Sequence, residues 1–141
     1  MLFDKDFIYF YQNPLLFMKD EGEDFMFALA GWPNGEDDLD WYSKALDSIV
    51  RLEISGLITS ENKTEDVLNS LAHTTNQTEW MCYLFDLTST GRNLLKQLHI
   101  PDHARDKHYL LPGLREALSR IFDEHGVGFD AELPYKMRLP G

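Results

Sequence analysis

Only one cysteine, Cys82, occurs in the chain, so no internal disulfide can form, and a reducing compartment suits it. Positive charge is scarce as well: 13 lysines and arginines face 24 aspartates and glutamates, a net of −11. No apolar run approaches the roughly 18–20 residues needed to cross a bilayer. The first residues, Met1-Leu2-Phe3-Asp4-Lys5-Asp6, carry acids where a secretory signal carries bases, and no small-residue cleavage site follows. These absences predict a cytoplasmic protein, in which the sequons Asn62-Lys63-Thr64 and Asn76-Gln77-Thr78 have no role. Glycine-rich phosphate loops, paired cysteines and nucleophile-elbow patterns are missing too. Carboxylates abound, but no spacing singles out an acid/base pair. The expectation is a protein that is not an enzyme and holds no metal or other cofactor.

What is present favours a folded chain. A hydrophobic share of 43%, with 13% aromatic, is enough for a core, and 141 residues fit one domain. The charge is segregated: residues 1–40 hold ten acids and two lysines, whereas residues 41–141 hold fourteen acids and eleven bases. An acidic surface repels phosphate backbones and membranes, attracts basic partners and speeds their encounter.

Along the chain, Leu2–Tyr11 is an aromatic run that reads as a strand or a buried helix, with Asn13-Pro14 as its break. Phe25–Ala30 is continuously apolar and equally ambiguous. Gly31-Trp32-Pro33-Asn34-Gly35 is a loop. Asp37 or Asp38 then caps a helix near 38–55, whose Tyr42, Ala45, Leu46, Ile49 and Val50 form one stripe, with Gly56 at its end. A weaker helix covers about Glu65 to Ala72, and Thr74–Thr78 reads as a polar loop. Trp80–Leu87 is the most strand-like run. Thr88 or Ser89 caps a helix carrying Leu94, Leu95 and Leu98. Pro112 opens a last helix near 113–125, closed by Gly126, and the tail 128–141 reads as loose. The fold class expected is α+β: mostly helical, one domain, with a small β element.

Ala28-Leu29-Ala30, a polar turn, and a helix ending Ile49-Val50-Arg51-Leu52-Glu53-Ile54-Ser55-Gly56-Leu57-Ile58 resemble the core of bacterial winged-helix regulators. Tyr83-Leu84-Phe85-Asp86-Leu87-Thr88-Ser89-Thr90-Gly91-Arg92-Asn93-Leu94-Leu95 is similar to their second wing strand and following helix. The resemblance spans about residues 24–98 and implies a winged-helix-like core with Leu39–Ile54 as recognition helix. Such a helix presents Arg, Lys, Asn or Gln to nucleic acid. This one carries Asp38, Asp40, Asp47 and Glu53 against Lys44 and Arg51, and about twenty residues with an extra helical candidate separate it from the wing strand. The resemblance therefore argues for the fold and not for DNA binding.

Three further features bear on chemistry. His99, Asp102, His103, Asp106 and His108 cluster in a loop, but Pro101 interrupts one helical face and no second cluster completes a metal site. His125 ends an apolar stripe, where it suits the helix dipole. Cys82 reads as a buried apolar filler without a basic neighbour.

The acidic segment remains. Asp20, Glu21, Glu23 and Asp24 form one group and Glu36, Asp37, Asp38 and Asp40 a second, with Trp32 between them and Trp41 following. Acids steer a basic protein and an aromatic anchor packs against it. These ten residues are the expected partner-binding set. The function expected is that of an immunity or antitoxin protein, blocking a basic nuclease-type toxin in bacterial competition. The alternatives are a winged-helix transcription regulator, for which a homodimer stays open, and a divergent metal-dependent enzyme using the histidine loop.

Overall fold

The N-terminal aromatic run is helical. In the computed structural model, which describes residues 2–60, 66–106 and 108–138, α1 (Asp4–Phe7), a π-helical turn (Ile8–Gln12) and α2 (Asn13–Glu21) follow without a gap. Asn13-Pro14 does not break the helix. Pro14 falls in the first turn of α2, where a missing N–H is tolerated, and the Asn13 N–H reaches back five residues to the Ile8 carbonyl. In the same π turn Gln12 is fully buried. Its Nε2 donates to the Tyr109 carbonyl at 2.6 Å, and its Oε1 accepts the Leu111 N–H at 2.8 Å. One satisfied amide thus pins a loop almost a hundred residues away.

Phe25–Ala30 resolves as helix α3 (Met26–Ala30). The central element is α4 (Leu39–Ile54), with nine of its sixteen residues buried, which makes it a core helix. Asp38 caps it by accepting the Trp41 N–H. Gly56, at φ +80°, ends it, and the Leu57 N–H returns to the Leu52 carbonyl at 2.9 Å. β1 (Ile58–Ser60), α5 (Val67–Ala72), α6 (Gln77–Met81), β2 (Phe85–Leu87), α7 (Ser89–Lys96) and α8 (Leu114–Glu124) complete the order. The fold is α+β, and its sheet is small and antiparallel, with Ile58 opposite Leu87 and Ser60 opposite Phe85. Two helices, α5 and α6, fill the connection between the strands. Asp24 extends the sheet through a bridge to Phe85. Thr88 caps α7, whose first turn abuts β1 so closely that a Cβ at Gly91 would collide with the Leu57 carbonyl.

Three sequence readings are corrected. Trp80–Leu87 is strand only from Phe85; Trp80 and Met81 end α6, and Asn76 in the expected polar loop caps that helix. The segment after α8 is docked, not loose: Leu133 is buried and the Arg138 N–H donates to the Ala72 carbonyl at 2.7 Å. Cys82 is exposed, its thiol donating to the Thr78 carbonyl. The expected helix start at Glu65, the sequon at Asn62, Lys107 in the histidine loop and tail positions 139–141 lie outside the described residues. No helix among the described residues is long and apolar enough to cross a membrane.

One carboxylate in α4 gives a pH test. Glu53 Oε2 is buried without a hydrogen-bond partner among the described residues. Burial, aided by the negative charge of Asp66, raises its carboxyl above the ordinary 4.5. Because the folded value is the higher one, the ionised group costs stability above it, and the cost vanishes as pH falls below 4.5. Glu53→Gln is therefore expected to raise the melting temperature at pH 7 and leave it unchanged near pH 4. An equal effect at both pH values would contradict this.

Candidate functional site

The N-terminal helix and the start of α4 face each other across a cleft of about 410 Å³. The helix contributes Asp6, Tyr9 and Phe10, and the other wall is Trp32, Asn34, Asp38, Asp40 and Trp41. Lys5 and Lys44 also line it. The Lys44 ammonium is bracketed by Asp40 at 3.0 Å and Asp6 at 3.1 Å, tying the two walls together. The hydrogen bond to Asp40, with Asp6 adding to it, holds Lys44 above its ordinary range despite partial burial. Asp38 accepts from the N–H groups of Asn34 and Trp41, so one carboxylate closes the 34–38 turn and caps α4.

The two tryptophans differ in role. Trp32 is 58% exposed and rests on Phe27, ring centroids 4.9 Å apart, with Phe25 beside it at 6.3 Å. Trp41 is only 7% exposed and sits among Phe10, Phe27, Tyr42 and Trp80. It belongs to the core, so the expected pair of anchors reduces to Trp32.

The acidic groups divide as well. Asp38 and Asp40 share the cleft with Trp32, while Glu36 and Asp37 are exposed on the adjoining loop. Asp24 is half-buried, accepting the N–H of Phe25, the residue that flanks Trp32. Glu23 beside it is exposed. Asp20 and Glu21 turn elsewhere: Arg105 approaches them at 3.8 and 3.9 Å, and Lys19 pairs with Asp20. Sequence reading missed Asp6, Tyr9 and Asn34. Only the i,i+4 spacing of Asp40 and Lys44 was a local signal; the approach of the N-terminal helix had none.

The histidine loop does not converge. Among the described residues, no three His, Cys, Asp or Glu side chains are grouped so as to hold one ion. His103 stands edge-on to Tyr109 at 4.7 Å, and His125 Nδ1 lies 2.9 Å from the Ile121 carbonyl, as a helix-end histidine should. A wider depression on the exposed face of α8 carries charges of both signs, and its Arg115 is held by Asp4 at 2.7 Å and by the Leu2 carbonyl. Comparison with protein-family models, with curated proteins and with solved structures gives no match.

Proposed function

We propose that this chain is a cytoplasmic binding protein that neutralises a basic protein, in the manner of an immunity or antitoxin protein directed at a nuclease-type toxin. The observation that carries the reading is Trp32: an exposed ring, backed by Phe27, standing beside a loop of exposed carboxylates on a chain of net charge −11. Nucleases need positive surfaces to hold phosphates, and an acidic protein with a rigid aromatic anchor complements such a surface. DNA binding finds little support in α4. Of its two cations, Lys44 is committed to Asp6 and Asp40, and Arg51 is buried. Exposed cations are what a recognition helix needs.

The test is co-expression with the product of the neighbouring reading frame, followed by growth and complex formation. Protection and a stable complex support the reading; neither being seen would sink it. The charge prediction uses Glu36→Lys, Asp37→Lys and Asp40→Lys together. Asp38 is left intact because loss of a cap costs about 1 kcal/mol by itself. The triple variant is expected to associate with the partner at least about tenfold more slowly at low salt, with a flattened or inverted salt dependence. An unchanged association rate and salt response in a normally folded variant would reduce the acidic loop to a solvated surface.

A further inference from the structure

We propose that the cleft beside Trp32 seats an arginine side chain presented by the basic partner, an inference that rests on the reading above and specifies what the cleft holds. Phe27 and Phe25 fix the exposed Trp32 ring, so little side-chain freedom is lost on contact. An indole face attracts a cation, and a guanidinium stacks on it better than an ammonium because it is planar and more weakly hydrated. The charge balance points the same way. Three carboxylates, of Asp6, Asp38 and Asp40, face the two ammonium groups of Lys5 and Lys44, leaving the cleft one positive charge short. The bracketing of Lys44 between Asp6 and Asp40 already places a cation against carboxylates of this cleft.

The experiment compares labelled octaarginine and octalysine, equal in charge, by fluorescence anisotropy on the full chain. Octaarginine is expected to bind tighter by about fivefold, the size of an exposed cation–π contact. Trp32→Ala should abolish that preference and weaken octalysine binding by a smaller factor than octaarginine binding, while Trp32→Phe retains part of it. Thermal melts confirm that the exposed-site variants stay folded. Equal affinity for the two peptides, or a preference that survives Trp32→Ala, overturns the arginine seat but leaves the acidic-surface reading standing. Absence of salt-sensitive binding by either peptide removes both.

Discussion

Arg51→Met is expected to destabilise the protein by about 3–5 kcal/mol, since each acceptor it strands costs about 1–3 kcal/mol and entering water recovers only part. Arg51 is 7% exposed, and its guanidinium spans two parts of the fold. Nη1 donates to the Tyr11 hydroxyl at 2.9 Å, Nε to the Val127 carbonyl at 3.0 Å, and Nη2 to the carbonyls of Gly128 at 3.3 Å and Phe129 at 3.1 Å. The Phe129 ring lies against the same guanidinium, 5.5 Å from its carbon, and also contacts Phe7, Tyr11 and Phe122. One side chain thereby ties the segment after α8 to the N-terminal helix. Asp47, one turn earlier, offsets part of the charge; burial raises its carboxyl, and Arg51 and Lys136 oppose that rise. Tyr11 is pushed up to about 12, mainly by burial, so it stays a neutral hydroxyl. The variant should melt roughly 10 °C or more below the parent. Hydrogen exchange should rise first in residues 127–138, because their anchors are gone. Arg51→Lys should recover less than half, because an ammonium lacks the planar fork that reaches several carbonyls at once. A melting shift under about 3 °C for Arg51→Met would mean the carbonyls find other partners, and the tether would be minor.

That tether also explains why the end of the chain was misread. Local signals were sufficient wherever a residue acts within a few positions of itself. Asp38 and Thr88 cap the helices they precede, Gly56 ends α4, and Gly126, at φ +73°, follows α8. The periodic stripes of α4 and α8 placed both helices within a residue or two. Proline and glycine in the tail were equally local signals for a loop, and its described residues, 128–138, form no helix or strand. What holds it is a guanidinium more than seventy positions earlier, which no window can register. The same holds at Asn13-Pro14, where the widened turn that accommodates the proline also buries Gln12 and uses it on Tyr109 and Leu111. Trp80 misled for a different reason. An aromatic at a helix end was read with the strand that begins five residues later, although its indole N–H donates to the Thr74 carbonyl at 2.7 Å and its ring stacks on Phe27. The site was half legible. The acidic loop and Trp32 stand out in the sequence, whereas Asp6 and Tyr9 join them only because the N-terminal helix packs across α4.

Two tryptophan substitutions should then part company. Trp41→Ala is expected to cost about 3–5 kcal/mol of stability, the usual range for removing a large buried aromatic. Its ring lies 5.2–6.0 Å from those of Phe10, Phe27, Tyr42 and Trp80, and nothing nearby can fill the space without dismantling that cluster. Trp32→Ala removes a ring that is itself 58% exposed, and stability should change by about 1 kcal/mol or less. On partner binding the order reverses. Loss of an aromatic anchor costs about 2 kcal/mol or more, which is roughly a thirtyfold faster dissociation. Association should be unaffected, because steering depends on charge and the variant keeps every charge. Kinetic binding on Trp32→Ala and thermal melts on both variants check the pair, with the triple lysine variant as the complementary case in which association is slowed. If Trp32→Ala dissociates from the partner at the parent rate while folding normally, Trp32 is not an anchor. The exposed ring would then owe its position to Phe27 and Phe25 alone, and the partner surface would have to be sought among the carboxylates without it.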